Sequence, residues 1–213
     1  MRCVVLVVGV FSVCAVQALF LDAPALAQEQ LIPILSVTGE QQPTGSVSYV
    51  VMRFEERTDH DGLILRFHDS PGRFSMLAKD STERAIRQAA ASLGLSTDSW
   101  TVDLKVPYEG VTVSGDSLSA MVGVTVSALA QGRTVQTGHV LTGTVKADGA
   151  IGPVGAVPLK VQAARSARLR LVLIPHQQSL IQEDQPAASD LVISPVRSVP
   201  EALEALTTRA LLK

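Results

Sequence analysis

The stretch Val111-Thr-Val-Ser-Gly-Asp-Ser-Leu-Ser-Ala-Met-Val-Gly-Val-Thr-Val-Ser-Ala-Leu129 decides the fold, because a polar, glycine-broken loop runs in it straight into an apolar segment. From Leu118 to Ala130 small and apolar residues stand on every side at helical spacing, which predicts a helix buried all round and closed by Gln131-Gly132. Ser119 then falls at the start of that helix. Backbone N–H groups there have no intrahelical acceptor, so the first turn can hold an oxyanion beside a serine hydroxyl. A second apolar helix is read from Gly155-Ala-Val-Pro-Leu-Lys-Val-Gln-Ala-Ala-Arg165, and it carries one lysine, Lys160. A serine at a helix start is ordinarily an N-cap, and a lone lysine among apolar neighbours is ordinarily a snorkelling surface residue. Only as a pair do Ser119 and Lys160 read as nucleophile and base.

Working outward, Val47-Ser-Tyr-Val-Val-Met-Arg-Phe54 and Gly62-Leu-Ile-Leu-Arg-Phe67 read as strands, with a turn at Asp69-Ser-Pro-Gly72 and a returning strand over Arg73-Phe-Ser-Met-Leu77. Asp80-Ser-Thr-Glu83 has capping-box spacing and predicts the start of a helix that ends at Gly94. Trp100, Val102, Leu104 and Val106 alternate as in a half-buried strand. His139-Val-Leu-Thr-Gly-Thr-Val145 and Leu169-Arg-Leu-Val-Leu-Ile174 predict two more strands, 176–189 a surface loop, and Leu191-Val-Ile193 a short strand. Ser198-Val-Pro-Glu201 caps a final helix with Ala202, Leu203, Leu206 and Ala210 facing inward. Strands and helices in this mixed order predict one α+β domain, a mixed sheet backed by helices.

The 213 residues are 46 % hydrophobic and 18 % charged, the composition of a globular domain. Residues 1–27 are set apart as a signal peptide: Arg2 is followed by an apolar run over 3–21, and Ala25-Leu-Ala27 has the A-x-A form of a cleavage site. Residues 28–45 are read as an N-terminal extension, and 46–213 as the domain proper. The alternative is a membrane anchor over 3–21, so a membrane partner is expected only if that segment is retained. Both cysteines, Cys3 and Cys14, fall in the segment expected to be removed, which leaves no thiol for disulfides, thiol catalysis or metal binding. A net charge of −2 without a basic block argues against nucleic acid. The four histidines, His60, His68, His139 and His176, lack ligand spacing, and Gly149-Ala-Ile-Gly-Pro-Val-Gly155 lacks the lysine and hydroxyl of a phosphate loop. No metal, cofactor or ATP is expected.

From Asp103 to the C-terminus the sequence resembles the proteolytic domain of Lon protease, a serine peptidase family with a Ser-Lys dyad. Asp103-Leu-Lys-Val-Pro-Tyr-Glu-Gly110 is similar to the family's strand into a Pro-Glu-Gly loop, with an extra residue at Tyr108. Asp116-Ser-Leu-Ser-Ala120 is similar to its Asp-Gly-Pro-Ser-Ala, which implies Ser119 as nucleophile and Asp116 as the acidic residue before it. Leu141-Thr-Gly143 matches its Thr-Gly, and Gly152-Pro-Val-Gly-Ala-Val-Pro-Leu-Lys160 matches its Leu-Pro-Val-Gly-Gly segment, placing Lys160 on the catalytic lysine. Leu171-Val-Leu-Ile-Pro175 matches a strand ending in Ile-Pro. The chain departs from the pattern at Ser117-Leu118 (Gly-Pro in the family), Met121 (glycine), Thr144 (an acidic residue), Pro158 (lysine) and Lys105-Val106 (histidine).

The resemblance implies a serine endopeptidase with Thr142 orienting the Lys160 amine. The family's ATPase region has no counterpart in these residues, so cleavage is expected to be ATP-independent and confined to unfolded or flexible polypeptide, and the reading of 1–27 as a signal peptide puts it outside the cytoplasm. The Ser119 hydroxyl and that amine should approach within about 3 to 4 Å. Two other readings stand beside it: an exported, non-catalytic binding or assembly module of the same fold, and hydrolysis of a non-peptide ester by the same dyad. Self-association is left open.

Overall fold

A computed structural model describes residues 27–39, 41–178 and 190–208. The signal-peptide reading of 1–27, the loop reading of 176–189 beyond Gln178 and the inward placing of Ala210 lie largely outside these residues.

The main sheet has four strands in the order β1 (Gln28–Thr38), β2 (Thr44–Glu56), β5 (Trp100–Lys105), β3 (Ile64–His68). β1 and β5 run antiparallel to β2, and β3 parallel to β5, so the sheet is mixed. Residues 28–45, set apart above as an extension, therefore contain a full strand, in register from Gln28 opposite Phe54 to Thr38 opposite Thr44. Pro33 concealed it, since a proline within an apolar run argues against a central strand. β1 is an edge strand, where proline is admitted, and Ile32, Ile34 and Leu35 are buried.

A short parallel pair, β4 (Arg73–Phe74) with β6 (Thr112–Val113), leads into helix α1 (Met76–Ser92). The strand read over 73–77 is thus only two residues long, and the helix starts one turn before the capping box. Ser75 is the N-cap, accepting from the Ala78 N–H at 3.2 Å. Asp80 lies inside the helix: Asp80-Ser-Thr-Glu83 has the spacing of a capping box, but the capping bond is made by Ser75 five residues earlier.

Helix α2 (Ser119–Ala130) is buried along its whole length except for Ala130. Its polar members satisfy themselves locally: Thr125 donates to the Met121 carbonyl and Ser127 to that of Gly123. α1 lies so close that a Cβ on Gly123 would stand 2.7 Å from the Ala85 carbonyl oxygen. The sheet, α1, α2 and α4 (Val199–Thr207) enclose one core containing Ile32, Met52, Leu104, Met121 and Leu203.

The run read as one strand over 139–145 is divided. β7 (His139–Leu141) joins a second, parallel sheet in the order β11 (Val192–Val196), β10 (Leu171–Pro175), β7, whereas β8 (Thr144–Val145) turns away to pair antiparallel with β9 (Ile151–Gly152). Thr142 and Gly143 lie at the break. Helix α3 (Val157–Ser166) packs between β2 and β10, and around it Leu35, Val140, Val161, Val172 and Ile174 form a second core. Among the described residues, no helix is long and apolar enough to cross a membrane.

Candidate active site

Three segments converge where β7 ends: the start of α2, the Thr142-Gly143 break, and the first turns of α3. Gly143 is bonded to both sides of Ser119. Its N–H donates to the Ser117 carbonyl at 3.0 Å, and its carbonyl accepts from the Ala120 N–H at 3.1 Å. Only glycine fits there, since a Cβ would come within 2.8 Å of Ile151 Cγ2. One residue back, the Thr142 N–H is held by the Leu173 carbonyl of β10 at 3.0 Å, so the chain leaves one sheet and clasps α2 within two residues.

Lys160 reaches this point from the first turns of α3. It is 4 % exposed, and its Nζ donates to Thr142 Oγ1 at 3.2 Å, with Thr142 itself fully buried. Burial pushes the amine down from its ordinary value of 10.5 to about 8; the negative charge of Asp116 opposes that shift but does not cancel it. Near neutral pH a useful fraction of the amine is therefore free of its proton, which an exposed lysine would not offer. Asp116, exposed in the loop before α2, acts on Lys160 through its charge.

Ser119 is the first residue of α2 and 1 % exposed. Leu118 takes the N-cap position without a side-chain bond, so Ser119 is not a capping serine. Among the described residues, the Lys160 amine has its hydrogen bond with Thr142 rather than with Ser119. The Ser119 N–H, expected to face an oxyanion, donates instead to the Asp116 carbonyl at 2.9 Å. That turn tightens the loop from Asp116 to Ser119 and uses a donor that sequence reasoning had assigned to substrate.

Positions where the chain departs from the resembled pattern find physical places. Met121 is fully buried and its Sδ accepts the Leu141 N–H at 3.3 Å, joining α2 to the strand end that carries Thr142. Pro158 sits in the first turn of α3, where its missing N–H has no intrahelical partner to lose. Thr144 lies opposite Gly152, whose absent Cβ would stand 2.3 Å from Thr144 Oγ1. Lys105 is exposed at the end of β5, and Val106 is buried after it.

The histidines stay apart. His60 meets Ser99, His68 meets Asp103, His176 meets Arg197, and His139 is buried against the Leu206 carbonyl, its pKa lowered by that burial. Among the described residues, no three His, Cys, Asp or Glu side chains gather as a metal site. One residue at this site escaped the sequence reading altogether. Gln178, in the 3-10 turn His176–Gln178 after β10, donates from Nε2 to the Val154 carbonyl at 2.6 Å and accepts from the Val154 N–H at Oε1, 2.7 Å. A glutamine in a polar tract carries no local signal of such a contact.

Compared with known families, residues 72–209 match the Lon protease (S16) C-terminal proteolytic domain. The chain belongs to that family. It is 26 % identical over 140 residues to the Lon protease of Chloroflexus aurantiacus, covering 62 % of this chain and 17 % of that protein. Against Lon protease 2 of Syntrophobacter fumaroxidans it is 29 % identical over 141 residues, 62 % of this chain and 18 % of the other. With the archaeal Lon protease of Archaeoglobus fulgidus the identity is 33 % over 98 residues, 46 % and 16 %. The matches thus span less than a fifth of these Lon proteases. The match to the Lon domain takes in α1, α2, α3 and the Thr142-Gly143 break, and starts after β1, β2 and β3.

Proposed function

We propose that this Lon-family domain is a serine endopeptidase with Ser119 as nucleophile and Lys160 as general base, cleaving unfolded or flexible polypeptide segments. The observation that carries the reading is the Lys160 amine: buried, lowered to about 8, and held on Thr142 Oγ1 beside the start of α2. A neutral amine accepts the Ser119 proton as the hydroxyl oxygen attacks a peptide carbonyl. The proton passes to the leaving amine as the C–N bond breaks, and a water activated by the same lysine then hydrolyses the acyl-enzyme. Thr142 keeps the amine from rotating away between the two transfers. Opening of the Asp116–Ser119 turn frees the Ser119 N–H for the oxyanion, so substrate binding and site assembly are coupled.

The proposed chemistry uses only side chains and water and needs no nucleotide at this site, and the apolar run over 3–21 with Ala25-Leu-Ala27 supports an enzyme that acts outside the cytoplasm. The occupied Ser119 N–H also favours a second reading, a non-catalytic module retaining the Lon fold. Labelling by a fluorophosphonate decides between them. Covalent labelling and casein cleavage that both disappear in Ser119→Ala support the enzyme. An unlabelled wild type, or cleavage undiminished in Ser119→Ala, leaves the non-catalytic reading. Ser119→Ala should fold normally, its stability changed by no more than about 1 kcal/mol, because the hydroxyl caps nothing.

A further inference from the structure

The start of α3 is under strain that its own residues do not relieve. Ala156, the residue before the helix, sits at φ 55° and ψ 39°, left-handed backbone in a residue that is not glycine, and offers no side-chain cap. Its carbonyl nevertheless accepts the Lys160 N–H at 3.2 Å, so the position of Ala156 sets the first turn from which Lys160 projects. Two residues earlier, both backbone polar groups of Val154 are taken by the carboxamide of Gln178, at 2.7 and 2.6 Å. A primary amide can satisfy a backbone N–H and C=O together only with its oxygen toward the N–H, which fixes the side chain in one orientation.

We propose that Gln178 is a positioning residue, clamping Val154 so that the strained turn at Ala156 holds and Lys160 stays buried on Thr142. Gln178 follows directly from β10, the strand whose Leu173 carbonyl fixes the Thr142 N–H. The segment from β10 into the 3-10 turn thereby sets both partners of the Lys160–Thr142 bond: Thr142 through the backbone of Leu173, and Lys160 through the side chain of Gln178. Gln178 touches neither Ser119 nor Lys160 and acts only through the helix start. Its catalytic consequence rests on Lys160 being the base; its structural consequence does not.

The test follows the Lys160 titration directly, by NMR of protein carrying 13Cε-labelled lysine, with Lys160→Arg identifying the resonance. Gln178→Met keeps the length and removes both hydrogen bonds. Gln178→Glu keeps the acceptor for the Val154 N–H and loses the donor. The Lys160 midpoint should lie near 8 in the wild type and rise toward the ordinary 10.5 in both variants, in Gln178→Met as water reaches the amine and in Gln178→Glu because its carboxylate repels the Val154 carbonyl and opens the clamp. Casein cleavage by Gln178→Met should drop on the order of tenfold in kcat with KM nearly unchanged, since a small displacement of a reacting group is felt in the chemical step. Its pH profile should move by the same amount as the titration. An unchanged midpoint in a Gln178→Met protein that melts like the wild type overturns the assignment, as does a raised kcat, which would mean that the carboxamide obstructs the site. If the wild type cleaves nothing, the catalytic reading falls, and the titration alone still decides whether Gln178 positions Lys160.

Discussion

Replacing Lys160 by methionine should inactivate the domain and make it more stable. Met is unbranched and of similar length, and Lys160 is only 4 % exposed, so the apolar stem keeps its packing while the buried amine disappears. Lowering the lysine from 10.5 to about 8 means that folding disfavours its charged form; at about 1.4 kcal/mol per pH unit this is roughly 3 kcal/mol. Below the folded value of about 8 both states are protonated and the whole penalty is present. As pH rises from about 8 to 10.5 the folded state sheds its proton first, and above 10.5 the penalty is gone. Losing the bond to Thr142 costs about 1 kcal/mol. The net gain near pH 6 is then about 2 kcal/mol, a rise of about 4 to 8 °C in Tm for a domain of this size. Thermal or urea unfolding of both proteins near pH 6 and near pH 10.5 measures the gap, and other titrating groups cancel in the difference. A gap that does not narrow with pH, or a variant less stable than the wild type near pH 6, would refute the claim that the amine is held in a dry site.

Cleavage of casein should rise with pH through about 8 as Lys160 loses its proton, and Lys160→Arg should be inactive throughout, because arginine does not give up its proton. Activity in that variant would remove Lys160 as base. Gly123→Ala should destabilise the domain by about 1 to 3 kcal/mol in urea unfolding, because the new methyl group meets the Ala85 carbonyl between two helices that cannot separate; an unchanged midpoint would show that α1 shifts freely. Exported protein should begin at Gln28, and N-terminal sequencing that finds Met1 in a membrane fraction would instead favour the anchor.

Much of this arrangement is legible in the sequence where physics acts locally. A helix apolar on every face must be buried, and the run from Ser119 to Leu129 is. Periodicity located β5, and Pro175 marks the end of β10. Legibility fails where the deciding partner is distant. Pro33 is compatible with a strand only because β1 lies at an edge, and 139–145 reads as one strand because nothing local reveals that Gly143 must bend around Ile151. At the site, Ser119, Lys160, Thr142 and Asp116 follow from the resemblance of their motifs, whereas the engagement of the Ser119 N–H by the Asp116 carbonyl depends on loop geometry. Gln178 depends on a pairing across 24 positions that no spacing rule anticipates.

The strand β1 has a consequence for how the protein is made. Its pairing begins at Gln28, opposite Phe54, with no slack between the anticipated processing site after Ala27 and the first ladder residue. A processing enzyme must draw several residues on each side of the scissile bond into extended form, and residues locked in a ladder cannot be drawn out without peeling β1 from β2. Were a leader removed after Ala27, as the A-x-A reading expects, its removal and the closure of the sheet would compete on the emerging chain, and cleavage would have to come first. The speed at which β1 finds β2 would then set the time left for that cut.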